Sequence, residues 1–270
     1  MNVFVFDIET VPDVQAGRRL YGLHNLSDAE VAEVMFNKRR QESGGEFLRP
    51  HLQRVVSIAV LLRSGQHCNV WSLGNPESPE AELIKRFFDG IDKYTPTLVS
   101  WNGGGFDLPV LHYRALLHGI CMPRYWEIGD TDSGFRWNNY LNRFHWRHTD
   151  LMDVLSGYQL RTVAPLDEIA ILLGLPGKLG SHGSQVWARF QAGDIDGIRN
   201  YCETDVLNTY LVYLRFELIR GRLQQADYVE ECRLLKSRLQ ARNKPHLDEF
   251  LSAWQAAAPA EEPTLAEIKE

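Results

Sequence analysis

Four cysteines are spread over 270 residues, at positions 68, 121, 202 and 232, and no two of them form a C-x-x-C pair. Without such a pair, or a histidine at ligand spacing, the sequence offers neither a zinc module nor a disulfide framework, and reduced thiols in the cytoplasm are the expectation. No long hydrophobic run occurs: stretches such as residues 58–62 are far short of the about 20 apolar residues that span a bilayer, so no membrane partner is expected. Asp7 stands where a secretory signal needs its apolar segment, and no export signal is expected. Phosphate-cradling loops are missing too. Leu108 occupies the third glycine position of a dinucleotide loop built on residues 103–105, and Gly177-Lys178 is followed by Leu179 without the upstream glycine of a P-loop. The Ser, His and Cys residues form no pattern for nucleophilic catalysis, and there is no internal repeat.

Net basic charge is also lacking. The formal charge is −6, which at first argues against a nucleic-acid partner. Residues 246–270, however, hold Asp248, Glu249, Glu261, Glu262, Glu267 and Glu270 against Lys269 alone, so −5 of the −6 sits there. The preceding 245 residues are close to neutral, and bound metal would offset some of their acids. Charge excludes no partner.

What is present is an α/β pattern. Residues 2–6 read as a first strand, ending at acids. A polar stretch follows, with a helix from the N-cap Ser27 to about Arg40, stopped near Gly44-Gly45. Residues 55–63 and 67–73 read as strands joined by a hairpin turn at 64–66. A helix from 80 to 94, a fourth strand at 98–102 and a helix from 106 to 119 complete the first half. Residues 121–148 have little periodicity and read as an excursion. From Pro165 the chain is helical, over 165–174, 183–191, 194–220, 222–240 and 246–257. Three strands followed by a crossover to a fourth predict a mixed sheet with flanking helices, as in ribonuclease H-like folds, plus C-terminal helices. The expected units are a domain over 1–220, a helical extension over 221–257 and a mobile acidic tail over 258–270.

Three short stretches carry candidate chemistry. In "VFVFDIET", Asp7 and Glu9 are two apart on a strand and share a face. Like charges so close oppose each other's ionisation unless a cation joins them. In "SWNGGGFDLPVL", Asn102 ends a strand, glycines turn the chain, and Phe106-Asp107 start a helix. A favourable acid in a first helical turn accounts for Asp107 equally well. In "YCETDVLNTYLVYLRF", Tyr201 and Asp205 lie four apart on one helical face, close to the apolar row Ile198, Cys202 and Val206. An acid so placed needs a partner.

Together, D-x-E in the first strand, N-x-x-x-F-D after a later strand and Y-x-x-x-D in a late helix resemble the DEDD superfamily of 3′–5′ exonucleases. The tyrosine places the resemblance with the branch containing the proofreading domains of family B DNA polymerases, and with stand-alone bacterial polymerase-B-like exonucleases. It covers about residues 1–215. The resemblance implies a metal-dependent exonuclease that releases 5′-mononucleotides from 3′ ends of single-stranded DNA or frayed ends, in repair or proofreading, beside a separate polymerase or repair partner. Two cations, Mg²⁺ or Mn²⁺, would be held by Asp7, Glu9 and Asp205, with Asp107 supporting the second, and Tyr201 with Glu9 would orient the attacking water. Asn102 and Phe106 fit as substrate contacts, although Phe106 also suits core packing. Lys178 is a candidate for the scissile phosphate, with a solvated surface lysine as the alternative. An exoribonuclease of the same fold and a silent nucleic-acid-binding module remain as rival readings.

The segment "FRWNNYLNRFHWRH" interleaves Arg136, Arg143 and Arg147 with Trp137, Tyr140, Phe144 and Trp146. That mixture suits stacking on unpaired bases and equally suits packing into the domain. Asp150 and Asp153 read as caps or supports rather than metal ligands.

Overall fold

The computed structural model describes residues 2–180 and 183–257. The tail over 258–270 lies outside them. In chain order the elements are β1 (Asn2–Pro12), α1 (Val14–Tyr21), α2 (Asp28–Ser43), β2 (Gln53–Ser64), β3 (His67–Ser72), α3 (Glu80–Tyr94), β4 (Thr97–Ser100), α4 (Asp107–His118), α5 (Pro123–Trp126), β5 (His148–Asp150), α6 (Leu151–Leu155), α7 (Leu166–Leu172), α8 (Val186–Gln191), α9 (Ile195–Ile219), α10 (Gln225–Gln240) and α11 (Pro245–Ala257). The five strands form one mixed sheet in the order β3-β2-β1-β4-β5, antiparallel across β1, β2 and β3 and parallel across β1, β4 and β5. Helices cover both faces, in a ribonuclease H-like arrangement.

The period-2 alternation of β1 sorts its side chains between two cores. Phe4, Phe6 and Ile8 face α3 and α4, among Ile84, Phe87, Phe88 and Leu111. Val3 and Val5 face the other way, onto Cys202, Val206 and Tyr210 of α9. The helices beyond residue 220 belong to that second core through Tyr228, Leu235, Leu239, Leu247, Phe250 and Trp254. Arg63 of β2 pairs with Glu231 of α10, and Glu203 of α9 pairs with His246 of α11. Helix α2 opens with the capping box of Ser27 and Glu30 and closes on the left-handed Gly44.

Two expectations need correction. The first strand does not end at Phe6. It runs to Pro12, because β2 pairs alongside it as far as Gln53, with a register shift between Glu9 and Thr10. The excursion over 121–148 ends in a fifth strand, β5, which pairs three residues with β4. It also divides its aromatics: Phe135 and Tyr140 are buried under the Arg147 guanidinium, while Trp137, Phe144 and Trp146 stay exposed.

Candidate active site

Asp7 and Glu9 continue the row begun by Val3 and Val5, so they point at α9 for the same reason those valines do. Parallel pairing of β1 with β4 stops at Val5–Val99. From residue 6 onward that side of β1 is a cleft at the carboxyl end of β4, where open α/β sheets place their ligands. The backbone N–H of Ile8 has no β4 residue to pair with there and donates to Asp107 Oδ1 at 3.1 Å. Thus the end of a strand brings the second motif onto the first.

The turn before Asp107 is held tightly. Asn102 has φ +63°, and its N–H donates to Asp150 Oδ1 at 2.9 Å, while the Gly104 N–H donates to Asp150 Oδ2 at 2.8 Å. A Cβ on Gly103 would collide with both Oγ and Cβ of Ser100, with the Phe6 ring behind them, so that position requires glycine, whereas one on Gly105 would displace only the end of the Asn102 side chain. Asp150 also caps α6. The far end of α4 is fixed by Arg114, buried and donating to Glu80 and Asp13, with Glu80 also accepting from Val55 N–H at 2.7 Å. Removing one partner of such a buried ion network costs about 3–5 kcal/mol.

Helix α9 supplies the third motif. Tyr201 and Asp205 are buried on the face turned to β1. Asp205 Oδ1 is buried and, among the described residues, has no hydrogen-bond partner. Next to Tyr201 in the chain and about one turn before Asp205, Cys202 turns its thiol to Asp7, donating toward the backbone oxygen at 3.4 Å and Oδ2 at 3.5 Å. One donor atom each from Asp7, Glu9 and Cys202 lies within 4.8 Å of the others.

Burial raises every carboxyl in the cluster, and crowding by the other acids adds to it at Asp7 and Glu9. Burial, then Asp107 and Asp205, push Asp7 well above the usual carboxylate range. Glu9 moves the same way through burial, then Asp7, Asp205 and Asp107. Burial lifts Asp107 to about 7, against the N–H groups of its own helix start and of Ile8. Asp205 rises to about 6 through burial, opposed by Lys178 and by a hydrogen bond from Tyr201. The Tyr201 phenol is pushed well above its normal value by burial and by Asp205, Glu9 and Asp7. Burial and the acids Asp7 and Glu9 raise the Cys202 thiol, which stays protonated. The donor set is therefore carboxylate oxygen, suited to a hard cation and ill suited to standing bare.

A cavity of about 290 Å³ joins Asp7, Asp107 and Asp205 to Asn102, Phe106, Trp101 and Lys178. The Lys178 ammonium stands 5.8 Å from the centre of the Tyr201 ring, and its charge acts on Asp7, Glu9 and Asp205. All eight candidate residues thus gather round one centre, Glu9 and Tyr201 facing it from neighbouring cavities. Sequence reasoning does not single out Trp101, Cys202 or the Arg114 network. Trp101 and Cys202 abut the motifs, and that adjacency is the available signal. Arg114, Glu80 and Asp13 are scattered along the chain and give none.

Over 80 aligned residues the chain is 34% identical to the catalytic subunit of DNA polymerase epsilon from Saccharomyces cerevisiae, an alignment that takes in 27% of this chain and only 4% of that protein. The family described as "Predicted 3'-5' exonuclease related to the exonuclease domain of PolB" matches residues 45–254, which carry Asn102, Phe106, Asp107, Lys178, Tyr201 and Asp205, while Asp7 and Glu9 reach the same cluster from the strand ahead of it. The chain belongs to that family of predicted 3′–5′ exonucleases.

Proposed function

We propose that the protein is a metal-dependent 3′–5′ exonuclease acting on unpaired 3′ ends of DNA in the cytoplasm, within residues 1–220, with 221–257 as a helical extension. One observation carries the reading: four carboxylates from β1, α4 and α9, all raised, meet one buried tyrosine and one lysine. The orphaned Asp205 Oδ1 and the all-oxygen donor set fit Mg²⁺ or Mn²⁺. Asp7, Glu9 and Asp205 would hold two such ions, with Asp107 supporting; bound there, they would stabilise charge on the attacking and leaving oxygens. Tyr201 stays protonated, so it orients the attacking water by hydrogen bonding together with Glu9 and does not remove its proton. Lys178 meets the scissile phosphate as a point charge. Asn102 and Phe106 line the cleft where the terminal nucleotide enters. Water attacks phosphorus, the bond to the 3′ oxygen breaks, and a 5′-mononucleotide leaves. The likeness to a polymerase supports work beside a separate polymerase in repair or proofreading.

The test is a 5′-labelled oligonucleotide, as DNA and as RNA, with Mn²⁺ or with EDTA. A ladder that shortens stepwise, faster on single strands than on blunt duplexes, is expected, because unpairing costs energy. Immediate release of the labelled mononucleotide, or cutting of a closed circular strand, would overturn the reading.

The raised carboxyls also predict a pH-dependent metal effect. An unfolded chain gives up these protons near pH 4, whereas the folded, metal-free cluster keeps them to about 6 at Asp205 and about 7 at Asp107. The metal-free fold therefore binds more protons than the unfolded chain across that window, and the cluster destabilises it progressively as pH rises. Cations take the place of those protons. The gain in melting temperature from Mn²⁺ over EDTA should be small at pH 5 and several degrees at pH 8. A gain that is absent, or equal at both, would speak against a metal cluster.

A further inference from the structure

Helix α4 buries one apolar face and leaves a second one in solvent. Leu108, Val110, Leu111 and Ala115 enter the core beneath it. Tyr113, Leu116 and Leu117, at helical spacing on the other side, are exposed, Leu116 to 80%. A surface helix ordinarily carries polar residues there, and an apolar stripe rimmed by charge marks a contact surface. Two cavities meet along this face and share Tyr113 and Leu116. The first, of about 550 Å³, is apolar, walled by Leu116, Ile120, Met122, Pro123 and Trp126. The second, of about 940 Å³, runs on over Leu117 to Arg19, His51, Arg54 and His118. Together they form one groove, apolar at one end and basic at the other.

The basic end keeps its charge. The two acids in its wall, Asp13 and Glu80, are buried and taken up by Arg114, and Glu80 also by His118. Arg19 and Arg54 are exposed, and among the described residues neither closes an ion pair, although Arg54 leans on the Phe190 ring. An occupant that matches this groove brings apolar anchors with negative charge beside them. Residues 258–270 have that composition: Leu265 and Ile268 are its large apolar residues, and Glu261 and Glu262 precede them. Helix α11, which leads to this segment, packs in the core on the opposite face of the sheet from α4. The matching segment therefore arrives from another molecule.

We propose that the groove is the docking site for residues 258–270 of a second copy of the chain, with Leu265 and Ile268 in the apolar end and Glu261 and Glu262 over Arg19 and Arg54. Two copies that exchange these segments close a symmetric dimer, since each gives one and receives one. The acidic cleft stays open, because it lies at the Asp107 end of α4 and the groove lies toward His118. The proposal stands apart from the exonuclease reading.

Sedimentation of the 270-residue chain from about 1 to 300 µM should show a monomer passing into a dimer. A peptide of residues 258–270, added in excess, should return it to monomer by filling both grooves. Leu116→Glu and, separately, Leu265→Glu should each weaken the dimer at least about tenfold, since each places a charge where an apolar side chain is buried. Leu265→Glu changes no residue of the described fold, and Leu116→Glu should melt with the parent. Arg54→Glu should also weaken the dimer, and combining it with Glu262→Arg should recover much of the loss, since the two charges have only changed sides. None of these measurements involves DNA, so their failure is distinct from failure of the nuclease reading. A chain that stays monomeric throughout overturns the proposal, and so does a dimer that Leu116→Glu, Leu265→Glu or the peptide leaves intact.

Discussion

Replacing Asp7 with alanine should reduce nuclease activity by at least about a thousandfold while leaving the protein folded. The size follows from what is lost: several kcal/mol of charge stabilisation at the reacting phosphate, at about 1.4 kcal/mol for each tenfold. Asp7 occupies the centre of the cluster, since Asp107 and Asp205 both act on it and it acts in turn on Glu9 and Tyr201. Folding should not suffer. Among the described residues Asp7 ends no helix and closes no ion pair, and the Cys202 thiol retains the Asp7 backbone oxygen as acceptor. In EDTA the variant should melt no lower than the parent, and the loss of one crowded carboxylate favours a higher value. Asp7→Asn keeps the shape and should lose activity to a similar degree, which separates charge from packing. Activity within tenfold of the parent in either variant, at equal melting temperature, would remove Asp7 from the chemistry.

Much of this was legible in the sequence because local rules wrote it. The alternation Val3, Phe4, Val5, Phe6 announces a strand with two buried faces, and Ser27 with Glu30 announces a helix start. The three acid motifs are local too: two residues on one strand face, an aspartate at a helix start, a tyrosine one turn from an aspartate. The resemblance they carry names the same family that the comparison finds over residues 45–254. What stayed hidden depends on partners distant in sequence. Strand β5 is three residues long and exists because β4 offers it a ladder. Helix α1 begins inside a polar stretch, where Asp13 accepts from Gln15 and Ala16 N–H and binds Arg114, 101 residues away. The length of β1 was set by β2. Phe47 lies in a glycine-flanked connection, and only the fold shows its ring against Phe106.

Changing Tyr201 to phenylalanine should lower turnover by about one to three orders of magnitude and leave Mn²⁺ affinity within about threefold. The range is that of removing one positioned hydrogen-bonding group from a reacting centre. The ring itself packs with Val11, Val56, Val186 and Ile198, and phenylalanine preserves that packing. What disappears is a hydroxyl directed at the acids and bonded to Asp205. Since that bond lowers the Asp205 carboxyl, its loss should let Asp205 hold its proton to a slightly higher pH, an effect a bound cation largely overrides. Water orientation, by contrast, has no substitute. The pH profile separates the roles. A tyrosine whose phenol is pushed well above its ordinary value stays protonated at every pH the protein tolerates, so Tyr201→Phe should scale the rate–pH curve down without moving its limbs. Single-turnover rates from pH 6 to 9 and calorimetry of Mn²⁺ binding measure the two halves of the claim. A rise of rate with pH that is present in the parent and lost in Tyr201→Phe would make Tyr201 a proton acceptor, and a collapse of Mn²⁺ affinity would place it among the groups that hold the metal. With neither, the hydroxyl acts on water, and Glu9 across the cleft is its partner in holding it.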